Sequence, residues 1–408
     1  MPSGAKYLIY SSILPAVAFG MFYTDLPYFL TTVQHLSLAF MGAVITVMGV
    51  TTVAASIPMG IAADRYGRKK FLMAGNVIVS LIIIIFALTA NQAILIAAAI
   101  LEGISEGAFA ASSSVLLAEQ AGDAKRTSVF SLYGFVSGIA FGLGSIMIPL
   151  VAIFEIFGLS NQQSHTFLFL LLASLSLAST GFMLPVRETG KLKRLGRGIR
   201  DLLPKKSKDV LVKYVIAGSI IAFGAGMVVP LMSKWFQLQY GIPDTLSGPI
   251  LGVSSLVIGL ATLTSPYLAK RFGMVKAIVI TQAVSNIFMF ATPLSPTFIS
   301  ASIVYTLRSF LMNMSEPLQQ SMIMGLVSED ERGAASGISS ALWRLPNSLS
   351  VGIGTWLMGQ GLLAAPFFLA GIFYLAAIAI FWRFFRNTTM PEEQQKRPAE
   401  GQRKQPAA

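Results

Sequence analysis

Residues 60–70 read Gly60-Ile61-Ala62-Ala63-Asp64-Arg65-Tyr66-Gly67-Arg68-Lys69-Lys70. An apolar run from about Ser37 leads into this stretch, and a second, from Phe71 to about Ala90, leads away from it. Five charges therefore sit in a short connection between two runs, each of the roughly 20 residues that a helix needs to cross a bilayer. That is a tight hairpin loop pinned to one membrane face. Its chemistry suits the position: Gly67 permits a sharp turn, Asp64 can accept hydrogen bonds at a helix N-terminus, and Arg65 and Arg68 can fork onto carboxylates.

The rest of the chain has the same character. Mean hydropathy is +0.69, with 54% hydrophobic and only 12% charged residues among 408, too much apolar surface for a soluble protein of this length. The chain is a polytopic membrane protein. Divided into twelve spans it allows about 34 residues each, one crossing helix plus one loop, with nothing left over for a large soluble domain. Cysteine is absent, which excludes disulfides, thiolate metal sites and cysteine nucleophiles. The only histidines, His35 and His165, fall in predicted outer loops, so the sequence offers no histidine metal cluster and no buried histidine relay. The first hydrophobic run is long and has no clear cleavage site, so no removable leader is read there.

A net charge of +12 raises the question of a nucleic-acid partner, and the placement of the charges answers it. With the N-terminus inside, 27 of the 30 Lys and Arg fall in inner segments, and the outer loops carry none. The bias places both termini in the cytoplasm and explains the basic pI without a polyanion. Spans are predicted at 7–31, 37–63, 71–91, 93–118, 127–153, 166–185, 213–238, 246–268, 277–292, 298–327, 333–360 and 364–385. A basic loop over 187–212 divides the chain into bundles 1–186 and 213–386 and should lie on the anionic inner leaflet. The tail 387–408, rich in Pro, Gln, Lys and Glu, should be disordered. An offset of 206 superposes the halves: Gly20-Met21 on Gly226-Met227, Arg65 on Arg271, Gly67 on Gly273, Lys70 on Lys276, Glu102 on Arg308 and Arg126 on Arg332. Six spans per half keeps both copies in the same orientation, as expected of halves related by an axis along the membrane normal.

The pattern G-x-x-x-D-R-x-G-R-K-x over Gly60–Lys70 resembles the signature loop of the major facilitator superfamily, between helices 2 and 3 on the cytoplasmic side. The resemblance implies a twelve-helix fold of two pseudo-symmetric six-helix bundles, an all-α architecture, and transport by alternating access around a cavity lined by helices 1, 4, 7 and 10. It also implies that Arg68 and Glu119, the latter at the inner end of helix 4, form a gating pair within a group containing Gly60, Asp64, Arg65 and Gly67. The second signature loop departs from the pattern, with Lys270 in place of Asp64 and Met274 in place of Arg68. The drug–proton antiporter branch carries an arginine on helix 4 and G-x-x-x-G-P-x-x-G-G on helix 5. This chain lacks that arginine and has Gly134, Gly138 and Gly142 but Ile139 and Leu143, which leaves the antiporter subclass open; glycines at this spacing also serve plain helix packing.

A charge inside hydrocarbon is costly unless paired or hydrated, so the charged residues within spans mark the interior. Glu102 and Glu106 stand one turn apart on one face of helix 4. Two carboxylates so close in low dielectric cannot both stay ionised cheaply, which makes them the leading proton-coupling candidates, with Asp25 on helix 1 in reserve. A structural reading, with Glu102 paired to Arg308, stands beside this. Lys234 reads as a side chain that snorkels to a helix end. Tyr28, Phe109, Met227, Arg308, Glu316 and Arg344, with Phe19, Tyr23 and Tyr305, are the expected cavity lining, and Glu316-Pro317 is expected to kink helix 10. There is no G-x-x-x-x-G-K-[ST] loop, so an ion gradient is the expected energy source and no cofactor is called for. The reading is a transporter rather than an enzyme: a monomeric, proton-coupled, plasma-membrane exporter of lipophilic or amphipathic small molecules. The alternatives are a transporter of a small zwitterionic or anionic metabolite and, from another class, a transporter-like sensor or lipid scaffold.

Overall fold

The computed structural model describes residues 3–121, 126–186, 206–328 and 331–388. Most of the predicted linker and nearly all of the predicted tail lie outside these residues. The first half comprises α1 (Ser3–Tyr28), continued by a π-helical turn (Phe29–Val33), α2 (Leu38–Tyr66), α3 (Arg68–Leu88), α4 (Gln92–Ala121), α5 (Arg126–Ile146), α6 (Leu150–Ile156) and α7 (Asn161–Ser179). The second comprises α8 (Lys208–Gly226), α9 (Met232–Tyr240), α10 (Asp244–Phe272), α11 (Met274–Ala291), α12 (Phe298–Met314), α13 (Glu316–Leu326), α14 (Arg332–Gly359) and α15 (Ala365–Phe385). Laid end to end where a turn merely interrupts them, the described residues form twelve helical segments, and ten are long and apolar enough to cross a membrane. The other two have visible reasons. The α12–α13 segment breaks at Ser315, where Pro317 starts a new helix because its ring cannot sit inside an existing one. The α14 segment carries Arg344, Asn347 and several serines along its length.

The charged stretch at 60–70 forms the expected hairpin. Gly67, at φ 108°, is the whole connection between α2 and α3, and Gly273, at φ 77°, does the same between α10 and α11. Both angles are open to glycine and strained for other residues. The two positions are 206 apart, so the sequence repeat is a structural one. Close packing repeats it. Gly20 of α1 lies against the Phe141 carbonyl of α5, and Gly226 of α8 against the Asn347 carbonyl of α14, again at the same offset.

The halves meet along α2 with α14 and along α5 with α10. Gly142 and Gly252 bring the α5 and α10 backbones together, and Thr46 Oγ1 donates to the Ser348 carbonyl at 3.0 Å between α2 and α14. One hydrophobic cluster spans both halves at the end of the molecule away from the basic loops, joining Leu26, Phe29 and Phe169 to Trp235, Phe236 and Met358. At the basic end the apolar clusters of the described residues are separate: Leu8, Leu72 and Leu117 in the first half, Met274, Met322 and Phe385 in the second. The halves are therefore sealed by apolar packing at the far face and part toward the basic face.

Candidate functional site

Between the halves lies a cavity of about 760 Å³. It runs from Val229, Pro230 and Ser233, near the start of α9, to Tyr214, Gln320 and Met324 close to the basic ends of α8 and α13, so it opens toward the basic face. Phe19 and Tyr23 stack on each other at 5.5 Å on one wall, and Tyr305 lies on another. Four of the charged residues expected inside line it: Glu102, Arg308, Glu316 and Arg344.

The two helix 4 glutamates have different surroundings. Glu106 Oε1 accepts from both Nη1 and Nη2 of Arg344 at 3.2 Å, so α4 of one half is bridged to α14 of the other. Glu102, 5% exposed and on the cavity wall, makes no hydrogen bond or ion pair among the described residues. The α-helical one-turn spacing read from sequence is present, yet the pair is divided into one satisfied carboxylate and one that faces the cavity alone. Glu106 is not on the cavity wall.

Arg308 does not meet Glu102. Its Nη2 donates to the Tyr374 hydroxyl at 2.5 Å, and its guanidinium lies 5.5 and 5.9 Å from the Tyr374 and Tyr305 ring centres, within cation–π range. Its Nε has no partner, and no ion pair reaches it among the described residues. Glu316, at the start of α13, is exposed to the cavity.

Other expectations are corrected. Tyr28, Phe109 and Met227 do not line the cavity. Tyr28 stacks on His165 at 6.3 Å, Phe109 packs against the basic-end cluster of its own half, and Met227 is buried where the α14 backbone at Gly354 presses on its carbonyl. Lys234 does not snorkel; it is 5% exposed and donates to Thr32 Oγ1 at 3.0 Å and to the Gln237 side-chain oxygen, linking α9 to the turn after α1. Asp25, the reserve coupling candidate, is fully buried and does not line the cavity. His165, expected in an outer loop, is also fully buried. Its helix starts earlier than the apolar pattern indicated, because Ser160 and Gln163 form a capping box that begins α7 at Asn161. His35 does lie exposed in a connection.

At the basic face, Arg68 Nη1 donates to Glu119 Oε1, joining the start of α3 to the last turn of α4. Arg65 is exposed, with its guanidinium 5.4 Å from the Tyr66 ring, and Gly60 lies within α2. The Asp64 side chain is outside the described residues. Of Gly134, Gly138 and Gly142 on α5, Gly142 meets α10, while Gly134 and Gly138 have open space beside them among the described residues. Asp244 and Tyr374 were missed. An acid after Pro243 looks like an ordinary helix-start residue, and a tyrosine in an apolar span carries no mark of its guanidinium partner.

The twofold repeat, the hairpin glycines and the midplane cavity agree with the Major Facilitator Superfamily family model, which matches residues 8–349 and again 214–408. The chain belongs to the major facilitator superfamily. Multidrug resistance protein 2 of Bacillus subtilis is 22% identical over 396 residues, covering 93% of this chain and 95% of that one. An uncharacterized membrane protein of Saccharomyces cerevisiae is 23% identical over 316 residues, 65% of this chain and 70% of its own. Among solved structures, a bacterial homologue of the human lysosomal transporter Spinster, inward-facing and occupied, superposes with a TM-score of 0.76 at 14% identity over 94% of this chain and 96% of that one. The nucleoside transporter NupG gives 0.71 at 16% identity over 94% and 98%. At these identities the structures speak to the fold. The chain is thus a multi-pass major facilitator transporter of a small molecule, in the all-α architecture read from its sequence.

Proposed function

We propose that this transporter is a proton-coupled exporter of lipophilic or amphipathic small molecules, acting as a monomer in the plasma membrane with both termini in the cytoplasm. The observation that carries the reading is Glu102: a buried carboxylate without a partner among the described residues, on the wall of a cavity with aromatic and apolar sides. In low dielectric such a group is stable only when it holds a proton or faces a cation, so proton and substrate compete for one place. Glu106 is held by Arg344 and leaves that exchange to its neighbour. The distribution of basic residues makes the basic face cytoplasmic, and the open cavity then faces the side from which an exporter loads. Asp64, Arg65, Gly67 and the Arg68–Glu119 pair form the element that closes that face in the opposite state.

The anionic-metabolite reading has an observation of its own. Arg308, 4% exposed and without a carboxylate partner among the described residues, offers its charge to an anion. Purified chain in proteoliposomes, with an imposed pH gradient and a panel of lipophilic cations, neutral drugs and small anions, tests the proposal. Accumulation of amphipathic compounds against their gradient, with counterflow of protons, is expected. Accumulation of small anions alone would transfer the assignment to the second reading, and the absence of any proton-linked flux would refute coupling.

A further inference from the structure

Three ionisable side chains from three helices and both halves converge at the far face. His165 Nε2 of α7 lies 3.0 Å from Asp244 Oδ2 of α10 and 3.5 Å from Asp25 Oδ2 of α1, and none of the three is more than 1% exposed. The other ring nitrogen, Nδ1, is 2.8 Å from the Asn161 carbonyl oxygen. A carbonyl oxygen only accepts, so Nδ1 carries the hydrogen. A neutral imidazole has a single N–H, so Nε2 would then turn a lone pair toward two carboxylates. At 3.0 Å in a dry site that contact is repulsive; it becomes attractive when an additional proton sits on Nε2 or on the facing carboxyl oxygen.

We infer that Asp25, His165 and Asp244 form a proton-binding clasp that fastens the two halves at the far face while it is protonated and releases them when it is not. The inference rests on the alternating-access, proton-coupled reading above and adds to Glu102 a second proton site, remote from the cavity. With one proton on Nε2 the cluster is an imidazolium between two carboxylates and keeps a net negative charge. Both oxygens of Asp25 and Oδ1 of Asp244 lack a hydrogen-bond donor among the described residues, which leaves room for a second proton between the carboxyl groups and makes the closed cluster neutral, as burial favours. When the halves part, water enters. The Nε2–H bond breaks, its electron pair stays on Nε2, and the proton leaves as hydronium into the far compartment.

The surroundings supply no competing cation among the described residues. The His165 ring is enclosed by Tyr28, Phe29 and Phe169, with centroids 6.3, 5.7 and 6.5 Å away. Glu155, in α6, accepts from Asn161 Nδ2 at 2.7 Å, and Lys234 of α9 is committed to Thr32 and Gln237. Neither offsets the two aspartates. Because the clasped state binds at least one more proton than the open one, raising the pH on the far side must favour opening, by up to about tenfold per pH unit for each proton released.

The chain has no cysteine, so one introduced thiol reports opening. Ser255 lines the cavity, eleven residues along α10 from Asp244, about 16 Å nearer the basic face. In full-length Ser255→Cys, labelling by an impermeant maleimide added from the far side should rise with far-side pH, normalised to Gln162→Cys on that face because thiolate formation itself increases with pH. In that background His165→Gln and Asp244→Asn should abolish the slope. Glu102→Gln should keep it while losing substrate accumulation, which separates failure of the clasp from failure of the transport reading. A flat normalised slope in Ser255→Cys alone overturns the inference without recourse to any clasp variant, as does a slope that survives both substitutions. Protection at high pH that needs added Zn²⁺ and vanishes with chelator would assign the site to a metal ion and overturn the proton clasp.

Discussion

The same substitution, Gly→Ala, should have opposite effects at two pairs of positions in this chain. A Cβ at Gly226 would lie 1.8 Å from the Asn347 carbonyl oxygen, and one at Gly20 would lie 2.1 Å from the Phe141 carbonyl oxygen. Non-bonded atoms rest roughly 3.5 Å apart, so α8 and α14, or α1 and α5, must separate by more than an ångström. The obstacle is backbone in both cases, which cannot turn aside as a side chain does, and overpacking of this kind costs about 1–3 kcal/mol or more. At Gly134 and Gly138 nothing among the described residues lies within 4 Å, and alanine there should stabilise by about 0.5–1 kcal/mol through reduced backbone entropy of the unfolded chain. One kcal/mol moves an unfolding midpoint by at most about 2–4 °C in a chain of this size. Thermal unfolding in detergent, followed by tryptophan fluorescence, should therefore show Gly226→Ala and Gly20→Ala several degrees below wild type and Gly134→Ala slightly above it. Wild-type midpoints for both Gly20→Ala and Gly226→Ala would refute the close approach and, with it, the structural repeat drawn from these glycines.

Glu102→Gln should abolish gradient-driven accumulation in proteoliposomes while downhill exchange remains measurable; Glu106→Gln should instead weaken the link between α4 and α14 and reduce both. Equal accumulation by wild type and Glu102→Gln would remove the coupling role. Arg68→Ala should slow turnover severalfold with little change in apparent substrate affinity, and unchanged flux would dismiss the Arg68–Glu119 pair as a gating element. Single cysteines at Ser207 and Gln402 should label only from the cytoplasm and one at Gln162 only from outside, which checks the orientation inferred from the 27 inner basic residues.

The features legible in the sequence were those that local chemistry or the repeat dictates. Gly67 and Gly273 could be found because a one-residue turn between antiparallel helices needs a positive φ, and the 206-residue offset because close-packed glycines recur with it. Glu102 and Glu106 were placed on one face by helical spacing, but their different states depend on Arg344, which lies 238 positions away from Glu106 and arrives only when the halves assemble. Span boundaries drawn from hydropathy put His165 outside the membrane because its helix begins with Ser160, Asn161, Gln162 and Gln163, polar residues held by capping rather than by burial. Asp244 was invisible for a related reason: at a helix start an acid is ordinary, and only the approach of α7 from the other half turns it into a buried partner.

The buried charges can be sorted by what satisfies them in the conformation described. Glu106 has Arg344, and Lys234 has Thr32 and Gln237. His165 and its two aspartates satisfy one another once a proton is supplied. Glu102 and Arg308 are left, one an acid and one a base, both on the cavity wall and both without an ionic partner among the described residues. Desolvated ionisable groups of this kind are too costly to retain for stability alone, and helix packing would have been served as well by apolar side chains of similar volume. Their retention is intelligible if each is completed by something that comes and goes: a proton or cationic group at Glu102, the polar end of a substrate at Arg308. The far-face clasp then has to be undone in the same cycle, since a cavity that fills from the basic face empties on the other side only when the contact between His165 and Asp244 is broken.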